Sequence, residues 1–152
     1  MNLTQKERSL LMDLKSQEML CIEKYGKYAD EANDPELSNL FRDLRTTEES
    51  HLKTITDILG GTEVSSPPKS PSAAEAKITP KPSAASADEK ADDAFLAKDA
   101  LSMEKHVSGV YDTSVFEFSS PVLRDTLAHI QKEEQNHGEM LYNYLECNGM
   151  YN

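Results

Sequence analysis

Apolar side chains recur along four segments of the chain at alternating steps of three and four residues. In the first segment these steps join Leu11, Leu14, Cys21, Tyr25, Tyr28 and Ala32, with Glu18 occupying the position between Leu14 and Cys21. Such steps place side chains on one face of an α-helix, where they can pack against other helices. Three later segments, within 37–58, 97–118 and 123–144, show the same spacing. The pattern predicts an all-α chain of four amphipathic helices.

Two capping boxes mark helix starts. Thr4 is followed three residues later by Glu7, and Ser86 is followed in the same way by Glu89. In a capping box each side chain accepts a hydrogen bond from the backbone N–H of the other residue, which satisfies N–H groups that a helix leaves unpaired at its start. We therefore expect the first helix to begin near residue 5 and the third near residue 87.

Short turns join the helices in pairs. Asp34-Pro35 and Ser120-Pro121 each supply an N-cap residue followed by a proline suited to the first helical position. Gly60-Gly61 and Asn148-Gly149 end the second and fourth helices. Turns this short make each pair an antiparallel hairpin. We expect a single domain over residues 1–152, with one hairpin at 5–60 and the other at 88–147.

Residues 61–87 differ in composition from the helical segments. Five of the seven prolines lie here, which are Pro67, Pro68, Pro71, Pro80 and Pro82. Such a segment is a linker of polyproline character. Between hairpins packed side by side it must cross about 39 Å, the length of a helix of about 26 residues. About 27 residues at roughly 3 Å each can do so within one chain; a domain-swapped homodimer, in which two chains exchange hairpins, is the alternative.

Ionisable residues interrupt the apolar face of every helix. They are Glu18 in the first helix, Glu48 and His51 in the second, Glu104 in the third, and Glu134 and His137 in the fourth. The second half repeats the first at an offset of 86 residues, and Tyr25 recurs as Tyr111 at the same offset. A charge on a buried helix face is costly unless it is paired or ligated. The alternatives are a solvated face and a structural polar layer.

Other polar residues do not repeat. Glu49 corresponds to Gln135, Cys21 to Val107, His106 to Leu20 and His129 to Asp43. A site with pseudo-twofold symmetry preserves its ligands in both halves and need not preserve its neighbours. We therefore expect Cys21 to be a small buried hydrophobe and both His106 and His129 to lie at the surface.

The six repeated residues suit two divalent metal ions, whose charge four carboxylates neutralise. A carboxylate-rich site with one imidazole per metal favours iron or manganese over zinc, and bundles with this ligand pattern are a known site type. We expect Glu48 and Glu134 to bridge the metals. The terminal ligands are then Glu18, His51, Glu104 and His137. The sequence leaves open which histidine serves which metal.

Three further residues can support such a site. Tyr25 and Tyr111 either hydrogen-bond to ligand carboxylates, with a catalytic role in steadying ligands or passing an electron, or pack in the core with a satisfied hydroxyl. Glu133 can hold a ligand histidine from outside the ligand set. Its counterpart in the first hairpin is Thr47, so the repeat does not support it.

Composition limits the partners. The chain has 152 residues and a net charge of −11, and it lacks the Lys/Arg stripes that bind nucleic acid or an anionic membrane surface. No window approaches the length of a transmembrane helix, and the start carries no apolar signal segment. Two cysteines without Cys-x-x-Cys spacing favour a reducing compartment. We expect a cytoplasmic protein with no nucleic-acid partner.

The motifs together resemble those of the ferritin-like superfamily of diiron-carboxylate bundles, which includes rubrerythrins, bacterioferritins and manganese catalases. The residues that carry this resemblance are Glu18-x6-Tyr25, Glu48-x2-His51, Glu104-x6-Tyr111 and Glu134-x2-His137. The stretch from Leu123 to Tyr151 resembles the spore coat protein F family. The first resemblance implies a ferritin-like four-helix bundle with two iron ions, or manganese in their place.

The resemblances imply two functions. The first is a dimetal redox protein, similar to a peroxide reductase or oxidase, that reacts with O2 or H2O2 and takes electrons from a donor that the sequence does not name. The alternative is a structural spore coat or spore-associated protein, with a stabilising or vestigial metal site, located in the spore coat among other coat proteins. The two are compatible, because a coat protein can also consume peroxide.

Overall fold

The computed structural model describes residues 2–65 and 80–151. These residues form four helices and no strand. The helices are α1 (Gln5–Glu31), α2 (Pro35–Leu59), α3 (Ala87–Glu117) and α4 (Pro121–Cys147). The all-α prediction is confirmed, and α1 and α3 begin where the capping boxes placed them. Within these residues no helix is long and apolar enough to cross a membrane.

The helix starts have the expected local chemistry. Glu7 N donates to Thr4 Oγ1 at 3.1 Å and Thr4 N donates to Glu7 Oε2 at 2.8 Å. The second capping box, between Ser86 and Glu89, is also formed. α2 and α4 start instead at an Asp or Ser N-cap followed by proline. The chain needs only three residues between α1 and α2, and three between α3 and α4, so each pair folds back as a hairpin.

The two hairpins pack into a four-helix bundle, with α1 against α3 and α2 against α4. α1 and α3 are antiparallel, because the end of α1 lies beside the start of α3: Asn33 N donates to Asp93 Oδ1 at 2.8 Å. The other end closes similarly, where Ser119 N donates to Glu7 Oε1 at 2.9 Å. Every neighbouring helix pair is thus antiparallel.

Glu7 and Asp93 form a matched pair of turn clamps, 86 residues apart in the sequence. Each buried carboxylate accepts backbone N–H groups from the turn of the opposite hairpin. Asp93 accepts from Asn33 and Asp34, the latter at 2.9 Å, and Glu7 accepts from both the backbone N–H and the hydroxyl of Ser119. Hydrogen bonds to a charged group stabilise by about 1.5–3 kcal/mol, so the clamps help fix how the hairpins meet.

Buried apolar side chains fill the bundle on both sides of the polar residues. In α1, for example, Leu11 and Leu14 precede Glu18 and Tyr25 follows it, and all are inaccessible to solvent. Burial of a leucine or isoleucine side chain stabilises by about 1.5–3 kcal/mol. The polar residues therefore sit inside a bundle that apolar packing holds together at either end.

The connection between the hairpins starts and finishes at opposite ends of the bundle. Leu59 O accepts from Arg8 Nη1 at 3.4 Å, next to the start of α1. Ser83 N donates to Asn148 Oδ1 at 2.7 Å, beside the end of α4. Three of the five prolines in the predicted linker lie outside the described residues, namely Pro67, Pro68 and Pro71. The swapped homodimer stays a prediction.

Candidate metal centre

Six ionisable side chains meet in the middle of the bundle, where each is at most 3% exposed. They are Glu18, Glu48, His51, Glu104, Glu134 and His137. The apolar face of each helix carries them inward, because each occupies a position in the three-and-four spacing. A solvated helix face is thereby excluded for these residues.

The donor atoms fall into two groups that share two members. Glu18 and His51 form one group with Glu48 and Glu134; Glu104 and His137 form the other with the same two glutamates. In each group all donor atoms lie within 4.8 Å of one another. The geometry therefore pairs Glu18 with His51 and Glu104 with His137, a choice that the sequence left open.

Glu48 and Glu134 each present one oxygen to each group. Oε2 of Glu48 lies 3.0 Å from His51 Nδ1, and its Oε1 lies 3.2 Å from His137 Nδ1. Oε1 of Glu134 lies 3.2 Å from His51 Nδ1, and its Oε2 lies 3.3 Å from His137 Nδ1. A carboxylate that faces two positions with its two oxygens has the arrangement of a bridging ligand. The bridging role expected of these two glutamates stays a prediction.

Four carboxylate oxygens in this cluster are buried without a hydrogen-bond partner among the described residues. They are Oε2 of Glu18, Oε2 of Glu104 and both oxygens of Glu134. The Glu134 oxygens are close to histidine nitrogens, but not in hydrogen-bonding geometry. Buried polar atoms are nearly always paired, and an exception calls for an unseen ion or water. Carboxylate and imidazole donors that converge in this way could hold metal ions.

The electrostatics of the metal-free cluster show the cost of leaving it without cations. Burial raises the pKa of Glu18 well above its usual range, and burial together with the charge of Glu134 raises the pKa of Glu104 to about 7. Burial opposes protonation of His51 and His137, but the surrounding carboxylates still raise the pKa of both imidazoles. Without metal, protons on these groups supply the balancing charge.

The two tyrosines cross between the hairpins. Tyr25 Oη donates to Glu104 Oε1, and Tyr111 Oη donates to Glu18 Oε1. Both phenols are fully enclosed, and burial raises the pKa of each. Each hairpin therefore orients the terminal carboxylate that the opposite hairpin supplies. The sequence left open whether the tyrosines bond to carboxylates or only pack in the core, and it could not assign a partner.

Besides the two tyrosines, Glu133 contacts the cluster from outside the six residues. His51 Nε2 lies 2.6 Å from Glu133 Oε2, and Glu133 Oε1 lies 3.6 Å from His129 Nε2. His129, expected at the surface, is half-buried with 31% of its side chain exposed. Its contact with Glu133 was not expected, because the offset test finds only residues that repeat. The i, i+4 spacing of His129 and Glu133 was the available signal.

The remaining polar residues stay outside the cluster. Cys21 is buried as a free thiol and belongs to neither donor group; its burial raises the pKa of the thiol. His106 is exposed. Glu49 points outward and pairs with Arg45 at 3.2 Å. These positions agree with what the repeat indicated.

The fold and the cluster define a four-helix bundle protein with a buried carboxylate and histidine centre. Within it, residues 92–152 match the family model described as the Coat F domain. This matched segment contains Glu104, Glu134 and His137, one half of the cluster, together with Tyr111. No curated protein matches the chain. No solved structure matches it either.

Proposed function

We propose that this protein is a spore-coat-associated protein that holds two divalent metal ions, iron or manganese, within its helical bundle. The coat assignment is supported by the similarity of residues 92–152 to the Coat F domain. The metal assignment is carried by the four buried carboxylate oxygens without partners. Other coat proteins are the expected partners.

One ion would be held by Glu18, His51 and one oxygen each of Glu48 and Glu134. The second would be held by Glu104 and His137 with the other oxygens of the same bridging pair. The first set joins α1, α2 and α4, and the second joins α2, α3 and α4. Metal binding to such a preformed site contributes directly to folding free energy. The ions would therefore tie both hairpins together, which suits a structural coat component.

A second candidate function, redox reaction with O2 or H2O2, is favoured by the donor count. Each group offers two terminal side chains and a share in two bridging carboxylates. A six-coordinate ion would keep room for a small oxidant beside these protein donors, and catalytic metal sites characteristically retain an open position. Two ions cycling between divalent and trivalent states would supply the two electrons that, with two protons, reduce H2O2 to two water molecules. An external donor would have to restore these electrons.

In either function the protein's own groups have defined tasks. Tyr25 and Tyr111 orient the terminal carboxylates by donating to Oε1 of each, which leaves Oε2 without a hydrogen-bond partner among the described residues. Glu133 orients the His51 ring. The apolar packing on both sides keeps bulk water from the cluster, so that charge interactions there are stronger than at the surface.

The metal assignment is tested on protein reconstituted anaerobically with Fe(II) or Mn(II), by elemental analysis after removal of free metal. We expect two ions per chain, and far fewer after Glu134→Ala; Glu49→Gln, which alters an exposed acid beside Glu48, should leave the count at two. No bound metal in the reconstituted parent would overturn the assignment.

The two functions separate when peroxide is added to the reduced, loaded protein. Rapid reoxidation in the ultraviolet-visible spectrum supports redox activity, and two bound ions without turnover support a structural role. For the coat assignment, a fluorescent fusion expressed in a sporulating bacterium should form a ring at the spore surface. A signal spread through the mother-cell cytoplasm would contradict it.

A further inference from the structure

The pseudo-twofold symmetry of the cluster breaks at the outer side of the histidine rings. Both rings direct Nδ1 toward the carboxylates. The Nε2 of His51 faces Glu133 at 2.6 Å. Within residues 2–65 and 80–151, no carboxylate lies in ion-pair contact with the Nε2 of His137, and Thr47 occupies the position equivalent to Glu133.

Glu133 is placed to fix the His51 ring. Only 12% of its side chain is exposed, and its two oxygens face two imidazoles, His51 and His129. A carboxylate at Nε2 accepts the N–H and so leaves Nδ1 as the nitrogen with a free lone pair. Such a partner also raises the basicity of the ligand nitrogen, and its loss typically weakens metal affinity about 10–100-fold. His137 has no equivalent support from a carboxylate.

We propose that Glu133 makes the two metal positions unequal, so that the position formed by Glu18 and His51 binds a divalent cation more tightly and fills before the position formed by Glu104 and His137. This rests on the proposed function, because it presumes that the cluster binds metal. Glu133 is a positioning residue, since it acts through His51 and belongs to neither donor group.

Symmetry of the other groups isolates this effect. The tyrosine donors are matched, because each terminal carboxylate accepts from one phenol of the opposite hairpin. The bridging glutamates offer one oxygen to each position at closely similar distances. The terminal carboxylates differ only in placement: Glu18 Oε2 lies 3.7 Å from His51 Nδ1, and Glu104 Oε1 lies 3.4 Å from His137 Nδ1. Among the described residues, the contact at Nε2 is therefore the difference that adds a charged group to one position.

The test is a titration of metal-free, full-length protein with Co(II) under anaerobic conditions, followed by calorimetry and by the visible absorption of bound Co(II). The parent should bind two ions in two resolved steps. His51→Ala should abolish the tighter step, and His137→Ala should retain it. Repulsion between two bound cations alone would also separate the two binding steps. The histidine variants are therefore needed to show which metal position gives the tighter step.

Glu133→Gln keeps the size of the side chain and removes its charge. We expect it to weaken the first step about 10–100-fold and to leave the second step within about threefold of the parent. Glu49→Gln removes a charge beside the other bridging ligand, and Thr47→Val changes the equivalent position; both should leave the two steps unchanged. The reverse change, Thr47→Glu, should tighten the second step by providing His137 with a carboxylate.

The protonation of the histidine rings gives a second readout, which does not depend on metal affinity. In the Zn(II)-loaded protein, nitrogen NMR should show His51 protonated at Nε2 and ligated at Nδ1, with an N–H that exchanges faster with water after Glu133→Gln. Two results would overturn the inequality and leave the proposed metal function intact, provided that the parent binds two ions. One is that His51→Ala retains the tight step, and the other is that Glu133→Gln weakens both steps alike. Failure of the parent to bind two ions would overturn the proposed function itself.

Discussion

Neutralising one glutamate of the cluster should affect the metal-free and metal-loaded proteins in opposite directions. Glu104 suits this test because it is almost fully buried and one of its oxygens has no hydrogen-bond partner. The change Glu104→Gln keeps a carbonyl oxygen that can accept from Tyr25 Oη. It removes the charge that burial and Glu134 disfavour.

The magnitude follows from the pKa of Glu104, which burial and the charge of Glu134 raise from 4.5 to about 7. Folding then costs nothing extra below pH 4.5, where the carboxyl is protonated in both states. As the pH rises from 4.5 to 7, the Glu104 carboxyl ionises in the unfolded state but stays protonated in the folded state, so the free energy of unfolding falls. Above about pH 7 the carboxyl is ionised in both states and the loss is constant. At 1.36 kcal/mol per pKa unit the full loss is about 3 kcal/mol.

Metal-free Glu104→Gln protein should therefore be more stable than the parent at pH 8, by up to about 3 kcal/mol, and the gain should vanish near pH 4. With metal the sign reverses, because the variant lacks a terminal ligand. Urea denaturation at both pH values, with chelator or with Mn(II), measures all four differences. Glu49→Gln, an exposed control, should stay within about 0.5 kcal/mol of the parent. A metal-free variant less stable than the parent at pH 8 would refute the reasoning.

Three further predictions concern stability. Glu7→Gln should lower the free energy of unfolding by about 1–2 kcal/mol at pH 7. N–H donors of Ser119 and Thr4 lower the pKa of Glu7, so its contribution to stability is lost as the pH falls below 4.5, and the variant should show a smaller loss of stability at acid pH in urea denaturation. An unchanged dependence of stability on acid pH would contradict this. Tyr25→Phe and Tyr111→Phe should each destabilise the loaded protein by about 1–3 kcal/mol in urea denaturation, and clearly unequal losses would argue against their symmetric roles. For each metal position that is filled at a free metal concentration of about 100 times its own Kd, chelation should remove about 2.7 kcal/mol, or about 5–11 °C of Tm by calorimetry for a domain of this size; an unchanged Tm after verified removal would count against an interior site.

Local signals made most of the fold predictable from the sequence. Capping boxes and proline at the first helical position act within one turn of helix, so Thr4 and Ser86 locate helix starts without knowledge of the rest of the chain. The internal repeat then identified which polar residues meet. Glu18 and Glu104 recur at one offset and both are buried in the cluster.

Contacts between hairpins could not be predicted in the same way. The tyrosine bonds to the opposite hairpin depend on the antiparallel packing of α1 and α3, which joins residues such as Tyr111 and Glu18 that are far apart in the chain. The turn clamp made by Glu7 is a second example, since its sequence context indicates only a capping role. Glu133 and His129 break the repeat, so symmetry does not identify them; the sequence pointed to Glu133 only through its place beside Glu134.

The division of the centre between the two hairpins also has a consequence for assembly. The Coat F-like segment, residues 92–152, carries one hairpin and so only one terminal glutamate, one bridging glutamate and one histidine of the centre. A chain limited to that hairpin would have to find a second copy to complete two positions, and its centre would disperse on dilution. When both hairpins of one chain form the bundle, covalent linkage supplies the second half of the centre at an effective concentration that the linker sets. Within one chain, completion of the centre is a first-order event that does not depend on protein concentration, whereas in a domain-swapped homodimer it would depend on it.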